Sequence, residues 1–199
     1  MSRPRPQQDR SRATYERILA AADSVFVERG SASSTTTQIA AAAGLSVGAL
    51  YRFFPDKEAI KTAIAERYLA DARARFDPLL ASVQDRGDLP DVLGAVIDAA
   101  ADLALAHPGY YQLTREVTPG DDRSAGAAVR RAIIDQFDTL LARLGLEPDD
   151  PRRTVTITLL IETVRHTLAM APRDEPQRTM LVDELRTMVV GHATRRLRP

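Results

Sequence analysis

Residues 35–57 read TTTQIAAAAGLSVGALYRFFPDK, and this stretch decides the fold. Thr35 is a good N-cap, and Gln38 three positions on completes a capping box. Ile39, Ala40 and Ala43 then share one helical face. Gly44 tolerates positive φ and ends the helix. Ser46 caps a second helix, predicted over residues 47–53. Leu50 and Phe54, four apart, turn that helix back on the first. Ala40 and Gly44 are small where two helices must cross closely. Pro55 stops the second helix, because the residue before a proline leaves the α region. Asp56 caps a third helix that starts at Lys57. This order of caps, small residues and turn glycine is the helix-turn-helix pattern, whose second helix enters the DNA major groove.

The residues that packing does not use are the candidate DNA readers. They are Val47, Gly48, Ala49, Tyr51, Arg52 and Phe53. Arg52 is the strong base-edge reader, since a guanidinium bonds guanine O6 and N7 together. Val47 and Ala49 suit thymine methyls, and Gly48 lets the backbone come close. Thr35, Thr36 and Ser46 sit at helix starts, where free N–H groups attract phosphate, and Thr37 is placed to reach a base or sugar. Lys57 opposes the dipole of the helix it opens, which a nearby anion such as a DNA phosphate accounts for.

The run T-T-x-x-I-A-x-x-A-G-L-S-x-G-x-L-Y-x-F-F-x-x-K resembles the N-terminal domain of the tetracycline-repressor (TetR) family of bacterial regulators. The matching residues are Thr35, Thr36, Ile39, Ala40, Ala43, Gly44, Leu45, Ser46, Gly48, Leu50, Tyr51, Phe54 and Lys57. Upstream, Arg17, Ile18, Leu19, Ala21, Ala22, Phe26 and Gly30 resemble the family's first helix. The match covers roughly residues 13–63; the rest fits by length and helical content. Phe53 departs from the His or Tyr that many members carry there. The resemblance implies that Tyr51 and Lys57 contact phosphates. It also implies a second domain that encloses a small-molecule effector, with Phe76, Tyr110, Tyr111, Phe137, Glu162 and His166 as candidates here. Glu162 and His166 are four apart on one helix face, and their other reading is a polar contact across a subunit interface. The last two helices are expected to pair with their copies in a homodimer.

Composition agrees with an all-α protein. The 199 residues suffice for one or two domains with a core, and glycine and proline fall mostly between periodic segments. Nine helices are expected, over residues 11–29, 35–43, 47–53, 57–77, 89–106, 110–117, 124–144, 153–171 and 177–197. The segment 79–87 is ambiguous. The domains are a disordered basic arm (1–10), a three-helix DNA-binding domain (11–56) and a helical effector-binding and dimerisation domain (57–199). Arg3, Arg5, Arg10 and Arg12 are candidates for following the DNA backbone, with a solvated tail as the alternative.

The 27 basic and 27 acidic residues cancel, but residues 1–61 hold nine of the bases and six of the acids. The N-terminal part is therefore +3 and the remainder −3, the sign that DNA reading requires. There is no cysteine, so no disulfide framework or thiolate metal site. The three histidines lack metal spacing, and no nucleophile elbow or phosphate loop is present. No apolar run reaches the ~18 residues of a membrane span, and the N-terminal arginines lack the apolar core of a secretory signal. The expectation is a cytoplasmic, ligand-responsive transcriptional regulator without cofactor or enzymatic activity. It acts as a repressor on a pseudo-palindromic double-stranded operator; the alternatives are an activator of the same fold, or a helical carrier or enzyme.

Overall fold

A computed structural model describes residues 6–85, 87–115, 123–143, 151–172 and 174–196. Nine helices and no strand are found among them: α1 (Pro6–Arg29), α2 (Thr36–Ala42), α3 (Val47–Tyr51), α4 (Lys57–Ser82), α5 (Leu89–Ala106), α6 (Pro108–Arg115), α7 (Ala125–Arg143), α8 (Pro151–Ala169) and α9 (Glu175–Arg196). None is long and apolar enough to cross a membrane.

The first three helices form as their caps dictate. The Thr35 hydroxyl accepts from Gln38 N (3.2 Å), and Gln38 Oε1 accepts from Thr35 N (2.9 Å). Such a cap contributes about 1 kcal/mol. At the other end Gly44 takes φ 64°, Leu45 N donates to Ala40 O (2.9 Å) and Gly44 N to Ala41 O (3.0 Å). That pair of bonds is a Schellman stop, and it needs the left-handed residue glycine provides. The Ser46 hydroxyl accepts from Ala49 N (3.2 Å) and starts α3. Ile18, Leu19, Phe26, Ile39, Leu50, Ile60 and Ile64 are all 1% exposed or less and make one core under the turn. Tyr15 of α1 stacks on Phe54, with ring centroids 5.0 Å apart.

The structure corrects four boundaries. Helix α1 begins at Pro6, five residues before the expected start, so residues 6–10 are helical and not an arm. Proline suits a first turn because it has no N–H to leave unpaired. Arg3 and Arg5 lie outside the described residues, and Arg10 and Arg12 are exposed on α1. Helix α3 stops at Tyr51 rather than 53. Helix α4 runs through Pro78 to Ser82, because Phe76, Leu80 and Val83 are buried on either side of that residue. An exposed proline inside a helix loses one hydrogen bond, and burial of three large side chains at about 1.5–3 kcal/mol each outweighs it. Helix α6 begins at Pro108, directly after α5, where residues 110–117 were expected. The loops expected at 118–123 and 147–151 fall largely outside the described residues.

Helix α4 belongs to both halves of the molecule. Ile60 and Ile64 complete the core with α1–α3, while Phe76 and Leu80 are buried farther along, where α4 packs on α5 and α7. Helix α1 also packs on α6. The boundary expected at residue 57 is therefore the start of a continuous helix.

Candidate functional site

Helices α2 and α3 present one polar surface. Thr35 and Thr37 at the start of α2 are exposed, as are Ser46, Gly48, Tyr51 and Arg52 around α3. Thr36 Oγ1 and the Tyr51 hydroxyl lie 3.1 Å apart and tie the two helices together. Two hydroxyls carry two hydrogens, and one suffices for that bond; the other is left to donate outward. The Arg52 guanidinium makes no hydrogen bond or ion pair among the described residues. A Cβ on Gly48 would meet nothing within 4 Å, so the helix backbone there is open to a close approach. Val47 and Phe53 are half-buried against the core, and Ala49 is half-buried. Phe53 is therefore chiefly a packing residue.

Lys57 has a different role from the one expected. Its ammonium donates to Ser31 O (2.8 Å), Ala32 O (2.9 Å) and Ser34 O (2.8 Å). An ammonium has three hydrogens, and these three carbonyls take all of them. What offsets its unfavourable place on the α4 dipole is the negative end of three carbonyl dipoles in the α1–α2 loop rather than an anion from outside. Lys57 pins that loop to α4.

The second site is a cavity of about 100 Å³ between α4, α5, α6, α7 and α8. Four of the six residues anticipated for a ligand, Phe76, Tyr110, Tyr111 and Phe137, line it together with aliphatic side chains of α5, α7 and α8. A cavity of ~150 Å³ lined by such residues stays dry and takes benzene, so this one accepts a small apolar group before its walls move. Glu162 and His166 do not line it. His166 is exposed on the outer side of α8. Glu162 accepts from Arg165 Nε (3.0 Å) and faces Arg130 at 3.8 Å. Arg130 and Arg165 do line the cavity and were not anticipated. The signal was present, since Arg130 sits in the same helical stripe as Ile133, Ile134 and Phe137.

A wall of aromatic rings joins the cavity to α1. Tyr68 of α4 stacks on Tyr110 with centroids 3.7 Å apart, and meets Tyr111 and His107 edge-on. Burial pushes all three tyrosine hydroxyls above their ordinary range, so they stay protonated. His107 Nε2 lies 2.8 Å from Asp71 Oδ2. Two residues on, Gly109 lies so close to Asp23 of α1 that a Cβ would stand 2.7 Å from the Asp23 Cα. Asp23 is paired with Arg67 of α4. Burial raises the Asp23 carboxyl above its usual range, and the Arg67 guanidinium pulls it back down. A second, wider groove of about 740 Å³ runs along this junction, from Val27 of α1 to Met170, and Tyr111 borders both spaces.

Residues 18–64 match the family model described as bacterial regulatory proteins of the tetR family, and residues 88–192 match the tetracyclin repressor-like C-terminal domain. The chain belongs to the tetracycline-repressor family. As a TetR-family member it is a ligand-responsive, DNA-binding transcriptional regulator. It is 28% identical over 189 residues to an uncharacterised HTH-type transcriptional regulator of Mycobacterium tuberculosis, covering 93% of this chain and 89% of that one. The fold is that of the fatty acid degradation regulator FadR from Bacillus halodurans (TM-score 0.71, 17% identity, 96% of this chain and 97% of that one). It is also that of AibR, solved with isovaleryl coenzyme A and operator DNA (TM-score 0.67, 17% identity, 88% and 97%). Residues 35–57 fall within the span that matches the TetR N-terminal model, and α4, which opens at Lys57, supplies Tyr68 and Phe76 to the cavity wall.

Proposed function

We propose that this chain is a homodimeric repressor that holds a pseudo-palindromic operator and releases it when an apolar small molecule enters the cavity. The observation that carries this reading is the continuity of α4. Its first turn holds the loop beneath the DNA surface through Lys57, and its middle supplies Tyr68 and Phe76 to the cavity. A ligand that displaces those rings moves the helix that carries the reading head. To act, it must favour one state; a ~100-fold difference in operator affinity corresponds to about 2.7 kcal/mol. Arg52 reads a base in each major groove, while Tyr51, Thr35, Thr36 and Ser46 fix the register on phosphates. The effector class that fits is a short acyl or similarly apolar group, a reading supported by the acyl-coenzyme A bound in AibR. Binding to operator DNA in the cytoplasm accounts for the site without any catalytic step.

The dimer is supported by where apolar surface is left open. Of the seven large apolar side chains exposed among the described residues, Val155, Leu159 and Met170 lie on or beside α8, and Met180 and Met188 on α9. On α8 the spacing 155, 159, 166, 170 is a single helical stripe. A second copy of the same two helices covers it by two-fold symmetry and sets two recognition helices ~34–36 Å apart, one turn of DNA. Leu159→Glu puts a charge in that stripe without touching the cavity. Sedimentation is expected to show a monomer, with operator affinity down about 100-fold or more through lost bivalency. A Leu159→Glu protein that remains dimeric and binds normally would place the interface elsewhere.

A further inference from the structure

One charged group in the cavity lacks a good partner, and we infer that it reads the head of the effector: Arg130 is the site for a carboxylate carried on an apolar chain. This rests on the cavity being the effector site.

Three charged side chains meet at the cavity's polar end. Arg165 has a partner at each of its three nitrogens. Its Nε donates to Glu162 Oε2 (3.0 Å), its Nη1 to Thr114 O (2.8 Å), and its Nη2 also reaches Glu162. Arg130 does not. Its ion pair is to Glu162 Oε1 at 3.8 Å, beyond a hydrogen bond, and its buried Nε has no partner. Glu162 Oε1 is likewise buried with no hydrogen-bond partner. Donor and acceptor face each other across a gap that neither closes.

The balance of charge sets the sign of the ligand. Two guanidinium groups and one carboxylate leave this end of the cavity at +1. The remaining wall is apolar, with Ile133 and Phe137 on the same helix as Arg130 and Ile157 and Leu160 opposite. An unpaired donor against such a wall is destabilising, the more so when it is charged. A carboxylate entering head first supplies two oxygens to the Arg130 fork and neutralises the excess charge. Its chain then lies against Phe76, Val96 and Ile97. A cation is repelled there, and a neutral head leaves the excess charge standing. Glu162 stays with Arg165 and holds Arg130 at the cavity edge through the 3.8 Å ion pair.

The test is calorimetric titration of the full-length dimer with straight-chain carboxylates of about four to ten carbons and the matching primary alcohols, for the native chain, Arg130→Met and Arg130→Lys. At matched length the native chain is expected to bind the carboxylate about tenfold or more tighter than the alcohol, a difference of about 1.4 kcal/mol. Arg130→Met removes that preference while binding the alcohol as before, which shows that the cavity is intact. Arg130→Lys restores part of it. Equal affinity of acid and alcohol for the native chain overturns the inference and leaves the cavity reading standing, as does a preference that survives Arg130→Met. Failure of every acid and every alcohol to bind overturns the cavity reading, and the inference with it.

Discussion

Gly109→Ala is expected to lower the stability of the protein by about 1–3 kcal/mol, the range for overpacking a close contact. The added carbon would also press on the Asp23 carboxylate, but a carboxylate can swing aside. It cannot escape the Asp23 Cα at 2.7 Å, because that atom is backbone. Helices α1 and α6 must therefore separate. Separation strains the Asp23–Arg67 pair that ties α1 to α4, and leaves the half-buried Asp23 with its charge less well compensated. Since α1 is also the platform under α2 and α3, operator affinity is expected to fall, and the effector is expected to alter it less than in the native chain. Urea denaturation gives the first quantity, and operator titration with and without effector gives the second. Unchanged stability in this variant would show that α1 and α6 are not in contact in solution.

Lys57→Met is expected to cost about 2–4 kcal/mol, since hydrogen bonds to a charged group contribute about 1.5–3 kcal/mol each and are not additive. Methionine keeps the stem and loses the ammonium. The carbonyls of residues 31, 32 and 34 then lose their shared donor, and Ser31 and Ser34 are buried, at 0% and 2% exposure. The loop joining α1 to α2 loosens, and α2 loses its fixed angle to α4. Operator affinity should fall with stability, while the dependence of log affinity on log salt keeps its slope. A phosphate contact behaves differently. Removing one lowers that slope by about 0.9 and leaves the fold as stable as before. That outcome would return Lys57 to the DNA surface.

The contrast shows where the sequence is legible. Thr35, Gln38, Gly44 and Ser46 act on backbone groups within five residues of themselves, so their roles follow from spacing. The α5 boundaries at Leu89–Ala106 follow likewise from a long apolar period between turn residues. Lys57 acts on carbonyls 23 to 26 residues away, and no local pattern announces them. Without that partner, a cation at a helix start suggests an anion from outside. Pro78 misled in the same way. Its local rule says stop, and the burial of Leu80 and Val83 against distant helices overrides it. In the cavity, aromatic residues could be named because large rings in a helical domain have few places to go. Arg130 could be found only by asking why a charge sits among Val129, Ile133 and Phe137. Gly109 gave no sign, because a glycine just after a proline reads as a turn until α1 is packed against it.

The most direct measurement is selection of bound sites from random duplex DNA, made side by side with the native chain and Arg52→Ala at moderate salt. The native chain is expected to recover an inverted repeat with half-sites one helical turn apart or a multiple. Arg52→Ala should recover the same repeat with one position in each half-site relaxed, at an affinity cost of about 1–3 kcal/mol. An inverted repeat whose every position survives the loss of Arg52 would contradict its role as the base reader. Recovery of no motif, with weak binding that vanishes as salt rises, would contradict the operator-holding dimer itself.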